Sequence, residues 1–366
     1  MAKHVLPIVH PPLYGLLSWA YTLSITSSMP NFNPWFYSNF IQVCCNKNYL
    51  EDKQELFFDF YRGGNNELNH NPFLLSSTLD TPMLYEIFKD SLHPFLMKKL
   101  QEGVYPVLFL DEYHISYTTA YHAYPFPHHV LIYGYDEDRH IYHTYGFGKD
   151  LLLGYHETTF DELEQAFHSI DNYLKNHAIY DQYNYFFTLL PHFVYSLNIR
   201  LIYEQLGEYL RSESSNNDQN RYFSPDKEFL AFGIACYDHL IEHFHILSHQ
   251  PESLVRANPP RQLHLLWEHK KMLRSRAAYL QKENALPQDE GLLLEFLELE
   301  ELAHQSRNLY AEHVVKGIPG VHERIKYNLE RMRDMELELI PKLMEQLKRH
   351  QTEPLQPAQR CCTPLA

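Results

Sequence analysis

Two adjacent histidines, His128 and His129, open the run HHVLIYGY. A second such run, HIYHTYGF, follows across the polar connection Asp136-Glu137-Asp138-Arg139. An imidazole held at the start of a strand is suited to general-base chemistry, because its ordinary pKa lies near neutrality. Asp111, Glu112 and His114 close the preceding apolar run VYPVLFLDEYHI and offer groups able to bind an amine. The plain alternative for these three is a solvated strand end. Other patterns carry less. His239-Leu240-Ile241-Glu242-His243 puts two histidines four residues apart on one helix face, as zinc sites do. No third ligand is identifiable, Asp238 and His245 crowd the segment, and 24 histidines make chance pairs common, so this is expected to be a polar helix face and no metal is assigned. Trp267-Glu268-His269-Lys270 reads as a charged cluster on a helix. Gly63-Gly64 lacks the Lys-Ser/Thr of a phosphate loop, and no G-x-S-x-G is present.

The elements that must position these residues fall into two regimes. LYGLLSWAYTLSI (13–25) is apolar but short for a membrane span and reads as a buried helix. NFNPWFYSNFIQV (31–43) and ELFFDFY (55–61) are rich in aromatic and β-branched residues and predict strands, the second stopped by Arg62-Gly63-Gly64. Residues 81–103 have helical apolar spacing and end on Gly103, a usual C-cap residue; a buried strand follows over 104–115. The two histidine-bearing runs predict a β-hairpin that sets His129 across from about Gly146, with Thr144 and Tyr145 within one residue. Thr159 with Glu162 predicts a capping box before a helix. Beyond residue 195 every apolar run has helical spacing, around a polar loop at 212–220. The expected organisation is α+β over 1–190, a helical bundle over 195–350 and a disordered tail over 351–366.

The stretch Gly103 to Tyr113 is similar to a G-x-P-V…D-x-Y strand, and His128 to Asp136 is similar to an H…GYD hairpin. Together they resemble the N-terminal domain of the butirosin biosynthesis protein H family, a papain-like relative of cysteine peptidases. The helical second half is similar to the bundle that accompanies that domain in many members. The resemblance implies a papain-like fold and acyl or aminoacyl transfer from a carrier-protein thioester to an amine, in the assembly of peptide-type antibiotics. It also implies a Cys-His-Asp triad, and the chain departs from that. Where the family's nucleophile precedes the first helix, this sequence reads His10-Pro11-Pro12-Leu13-Tyr14-Gly15. Where an orienting Asp is expected, it has His143, Thr144, Tyr145 and Gly146. The histidine is matched by His129, or by His128 if the register slips by one.

Without a thiolate no covalent intermediate forms, and without a carboxylate the imidazole loses tautomer control. Cys44 and Cys45 are the alternative thiols, but they follow an expected strand and no helix dipole would depress their pKa. Direct attack of an amine on the bound thioester, with His129 as base and Asp111, Glu112, His114 and Tyr145 around the acceptor, needs no protein nucleophile. The rival expectation is a catalytically inactive scaffold that binds a carrier, peptide or synthase subunit through the old cleft.

Composition agrees with a globular chain: 45% hydrophobic and 21% charged residues. The net charge of −15 argues against a nucleic-acid reader, which needs a basic face to neutralise phosphates. Acyl or peptidyl carrier proteins are themselves usually acidic, so docking one calls for a local basic patch; Lys270, Lys271, Arg274 and Arg276 are the expected one. The partners expected are thus a carrier protein and a small amine or peptide, with no nucleic acid, no membrane and no cofactor. Five cysteines, four of them in vicinal pairs, make no disulfide framework and point to reducing cytoplasm.

Overall fold

The computed structural model describes residues 3–51, 54–61, 68, 70–177, 182–214, 229–249 and 259–352. The expected strand stop at 62–64, most of the polar loop at 212–220 and the tail beyond 352 lie outside the described residues. The protein is α+β and divides into two units, residues 1–33 with 65–195 and residues 34–64 with 196–366. The second unit therefore takes in a segment of the first half as well as the helical region.

The first unit is built on a seven-stranded antiparallel sheet. Its strands are β1 (Lys3–Val5), β4 (Leu74–Asp80), β5 (Val104–Asp111), β6 (Pro127–Asp136), β7 (Ile141–Phe147), β8 (Leu153–Thr159) and β9 (Tyr183–Leu189). The order is β4-β9-β5-β6-β7-β8, with β1 paired to β6. Helix α1 (Leu17–Thr26) is buried on every residue but Ser18, and its buried hydroxyls at Thr22, Ser24 and Thr26 bond back to carbonyls of the preceding turn. The single helix expected over 81–103 is two, α3 (Thr81–Phe88) and α4 (Leu92–Gln101), and Gly103 ends the second at φ +80°. Helix α5 (Phe160–Leu174) opens with the expected capping box: Thr159 accepts from Glu162 N at 3.1 Å, and Glu162 Oε2 accepts from Thr159 N at 2.8 Å. Leu163, Ala166 and Phe167 of α5 join Leu108, Leu110, Val130 and Ile132 in one core.

The second unit has a three-stranded sheet, β10-β2-β3, from β2 (Val43–Asn46), β3 (Phe58–Phe60) and β10 (Leu230–Phe232). The strand expected over 31–43 is instead a helix, α2 (Phe32–Ser38), followed by β2. Pro34 sits in the first turn of α2, where its missing N–H costs nothing. The rest of this unit is α6 (Ile199–Leu210), α7 (Cys236–His249), α8 (Pro259–Lys282), α9 (Glu290–Lys316) and α10 (Val321–Thr352). The expectation of no strand beyond 195 fails at β10, which pairs Ala231 with Cys45 and Phe232 with Cys44. No helix among the described residues is long and apolar enough to cross a membrane.

Candidate functional site

The hairpin forms as expected, but a bulge at Tyr133 changes its register. Leu131 faces Tyr145 and Ile132 faces Thr144, then Gly134 faces His143. The ladder thus ends above Leu131, and the two histidines pair with β5 instead: Leu110 opposite His128 and Phe109 opposite His129. Adjacent residues of a strand point to opposite faces, so the two imidazoles enter different surroundings.

His128 meets a carboxylate. Its Nδ1–H donates to Glu112 Oε1 at 2.8 Å. Glu112 lies in a single 3-10 turn, Glu112–His114, that follows β5. Its side chain is 12% exposed and that of His128 37%, so the acid is enclosed and the base reaches solvent. A buried carboxylate requires such a partner. With the Nδ1 proton donated to it, the neutral imidazole carries its lone pair on Nε2. Among the described residues no serine, threonine or cysteine hydrogen-bonds to His128.

His129 is engaged differently. Its Nε2–H donates to the Tyr183 carbonyl at 2.9 Å, and its ring packs near Phe109 and Tyr185, with centroids 5.1 and 5.7 Å away. Its own carbonyl accepts from the Tyr21 hydroxyl of α1 at 2.8 Å.

Two tyrosines adjoin Glu112. Burial holds the Tyr21 hydroxyl well above its ordinary pKa, and the neighbouring Tyr117 and Glu112 add to that. Burial does the same for Tyr117, followed by the Glu112 charge, against a hydrogen bond to Thr144. Both stay protonated, and Tyr21 donates to the His129 carbonyl. The Tyr117 ring stacks on His156, centroids 4.0 Å apart and planes 3° from parallel. Gly146 leaves room for them: a Cβ there would stand 3.2 Å from the Tyr117 hydroxyl and 3.5 Å from that of Tyr21. Neither tyrosine stood out in the sequence. Tyr21 sits in an apolar helix, and Tyr117 in a loop without periodicity.

The remaining expected site residues separate. Asp111 is a structural anchor: Oδ1 accepts from Tyr113 N and Phe126 N at 3.1 and 2.9 Å, and Oδ2 from Ser169 of α5 at 2.7 Å. It pins the 3-10 turn and the chain entering β6 to the helix. His114 packs beside Tyr113, ring centroids 5.0 Å apart. Tyr145 is buried and its hydroxyl hydrogen-bonds His10 Nδ1 at 3.1 Å, while the His10 ring lies 4.9 Å from Tyr14. The segment before α1, where the family resemblance sets an expected nucleophile, holds a His10–Tyr145 contact, and α1 begins at Leu17 with Leu16 as its cap.

Cys44 and Cys45 belong to the second unit, on β2, and with Cys236 they are buried. Burial, then the neighbouring Cys45, pushes the Cys236 thiol well above its ordinary pKa. A protonated thiol is a poor nucleophile.

The expected basic patch on α8 is overturned. Lys270 and Arg276 are buried: Lys270 pairs with Glu336, and Arg276 donates to the carbonyls of Tyr37, Asn39 and Phe40. Arg274 pairs with Glu300, and Lys271 lies 5.3 Å over the Trp267 ring. Two of the four charges fold into the bundle because α8 is packed on more than one side, which the count of basic residues could not reveal. His239 and His243 also fail to gather a third ligand among the described residues; His243 is buried, beside Tyr49 and Phe244.

No family model and no curated protein matches the chain.

Proposed function

We propose that the first unit is a papain-like domain that transfers an acyl or aminoacyl group from a carrier-protein thioester to an amine, in peptide-type natural-product assembly, with His128 as general base. The observation that carries this reading is the 2.8 Å contact of His128 Nδ1 with Glu112, which orients the imidazole as a triad carboxylate does, from a different strand end. The hairpin and strand motifs that resemble the butirosin protein H family supply the substrate class.

In this scheme an amine attacks the thioester carbonyl. A C–N bond forms, His128 Nε2 takes the amine proton, the C–S bond breaks and the same proton leaves with the carrier thiol. Atoms and charge balance without a protein nucleophile or a cofactor. Glu112 steadies the imidazolium between the two proton transfers. His129, whose Nε2 is committed to the Tyr183 carbonyl, is a positioning residue of the sheet end.

A second reading is a non-catalytic carrier-binding or scaffold protein. It is favoured by the departure from the Cys-His-Asp triad of the resembled family: the segment before α1 carries His10, hydrogen-bonded to Tyr145, in place of a thiol. Intact-mass analysis of the protein with acyl-loaded carrier and a panel of amines separates the two. Amide product, with the protein mass unchanged, supports direct transfer. Covalent acylation that disappears in a Cys44→Ala/Cys45→Ala variant contradicts it, and carrier binding without product across the panel favours the scaffold.

A further inference from the structure

Helix α7 carries a second histidine pair at the same spacing as His239 and His243. His245 and His249 are exposed, and their ring centroids are 4.4 Å apart. Helix α10 packs on α7, and its first turn brings Glu323 beside them. Glu323 Oε1 lies 3.9 Å from His249 Nδ1. One candidate ligand atom from each of the three residues lies within 4.8 Å of the other two.

We propose that His245, His249 and Glu323 form a binding site for a divalent transition-metal ion of the zinc class, which clamps α7 to α10. Residues four apart on a helix stand one above the other on one face, which is how helical metal sites present two imidazoles. Around a tetrahedral ion with bonds of about 2.0–2.2 Å, neighbouring donors stand about 3.3 Å apart. The observed spacing reaches that by side-chain rotation, which exposure leaves free. The donor set is two imidazole nitrogens and one carboxylate oxygen, a borderline set that suits Zn2+ and its first-row neighbours. Calcium and magnesium want oxygen shells that this cluster does not provide.

The surroundings favour the same assignment. His249 Nδ1–H donates to the His245 carbonyl at 2.9 Å, which holds the ring on the face of α7 that Glu323 meets. Lys326 Nζ lies 3.4 Å from Glu323 Oε2, the oxygen other than the one nearest His249. It steadies the carboxylate but places a positive charge near the ion. Three protein ligands leave a position for water or an outside ligand.

The test is a competition titration of Zn2+ against a chromophoric chelator, using the metal-free full chain. Wild type is expected to take up one equivalent that His245→Ala and His249→Ala lose. Glu323→Gln is expected to weaken that equivalent at least tenfold, and Lys326→Gln to tighten it. Circular dichroism and Tm in chelator are expected to be the same for all variants, because the side chains are exposed; Zn2+ is expected to raise Tm in wild type and Lys326→Gln and to leave the histidine variants unchanged. The proposal is overturned if the His245→Ala/His249→Ala variant keeps the same equivalents at the same affinity. It is also overturned if Zn2+ binds wild type but leaves its Tm at that of the double variant.

Discussion

Glu112 Oε1 receives the Nδ1 proton of His128 at 2.8 Å across sixteen residues of chain, one partner in the turn after β5 and the other near the start of β6. The pair sets the tautomer: an imidazole that gives its Nδ1 proton to a carboxylate keeps Nε2 basic. Glu112→Gln keeps the shape and removes the charge. The expected result is loss of the Nδ1–H tautomer of His128 in long-range 1H–15N spectra, with unchanged amide shifts elsewhere in the sheet. An Nε2–H tautomer in wild type would contradict the geometry.

Tyr21 ties α1 to the start of β6 through the His129 carbonyl at 2.8 Å. Tyr21→Phe leaves that acceptor without its tyrosine donor while keeping the ring, so the first unit is expected to lose about 1–2 kcal/mol in urea unfolding. A change below about 0.3 kcal/mol would mean that water replaces the hydroxyl.

The legible part of the fold was the part written in local chemistry. Thr159 and Glu162 announced α5 because a capping box needs four consecutive residues and nothing else. The hairpin was legible from its two apolar runs and its acidic turn. Its register was not: the isolated Gly134 marks an irregularity in the run, but the apolar residues on both sides of it do not say that Tyr133 is the extra residue. The alternation of side chains along β6 separates the surroundings of His128 from those of His129. The strand β10 is three residues long and pairs with β2 from far along the chain, so no periodicity could betray it. The histidine and the acid of the candidate site were both visible as candidates. Their contact was not, because it depends on the β5–β6 register and on a 3-10 turn.

The second unit buries a charged network in its bundle. Lys270 pairs with Glu336, which also accepts from Tyr237 at 2.9 Å and from Tyr209, and Lys270 Nζ lies 2.9 Å from His269 Nδ1. Burial lowers the Lys270 pKa, and Glu336 works against that. Lys270→Met strands the carboxylate and is expected to cost about 3–5 kcal/mol, whereas Lys270→Met with Glu336→Leu is expected to recover most of it. Chemical denaturation of the two variants checks this, and equal losses in both would contradict it.

His243 links stability to acid. Burial, and then the nearby His322, lowers its pKa in the fold to about 4, from an ordinary 6.5. The unfolded chain therefore binds the extra proton between those values. The contribution is complete above pH 6.5, is lost as pH falls, and levels off below about pH 4. The gap corresponds to about 3 kcal/mol. His243→Leu is expected to flatten the fall of Tm between pH 6.5 and 4, with a remaining slope from His269 and His239, whose pKa values burial also lowers. Profiles of wild type and variant that run parallel would contradict the assignment.

The proposed transfer uses His128, not His129, as its base. The most direct measurement is the single-turnover rate of acyl transfer from loaded carrier to amine for wild type, His128→Ala, His129→Ala and Glu112→Gln. The expected fall is about 100-fold or more for His128→Ala, smaller but clear for Glu112→Gln, and less than about tenfold for His129→Ala. A wild-type rate in His128→Ala, or a loss confined to His129→Ala, would contradict it.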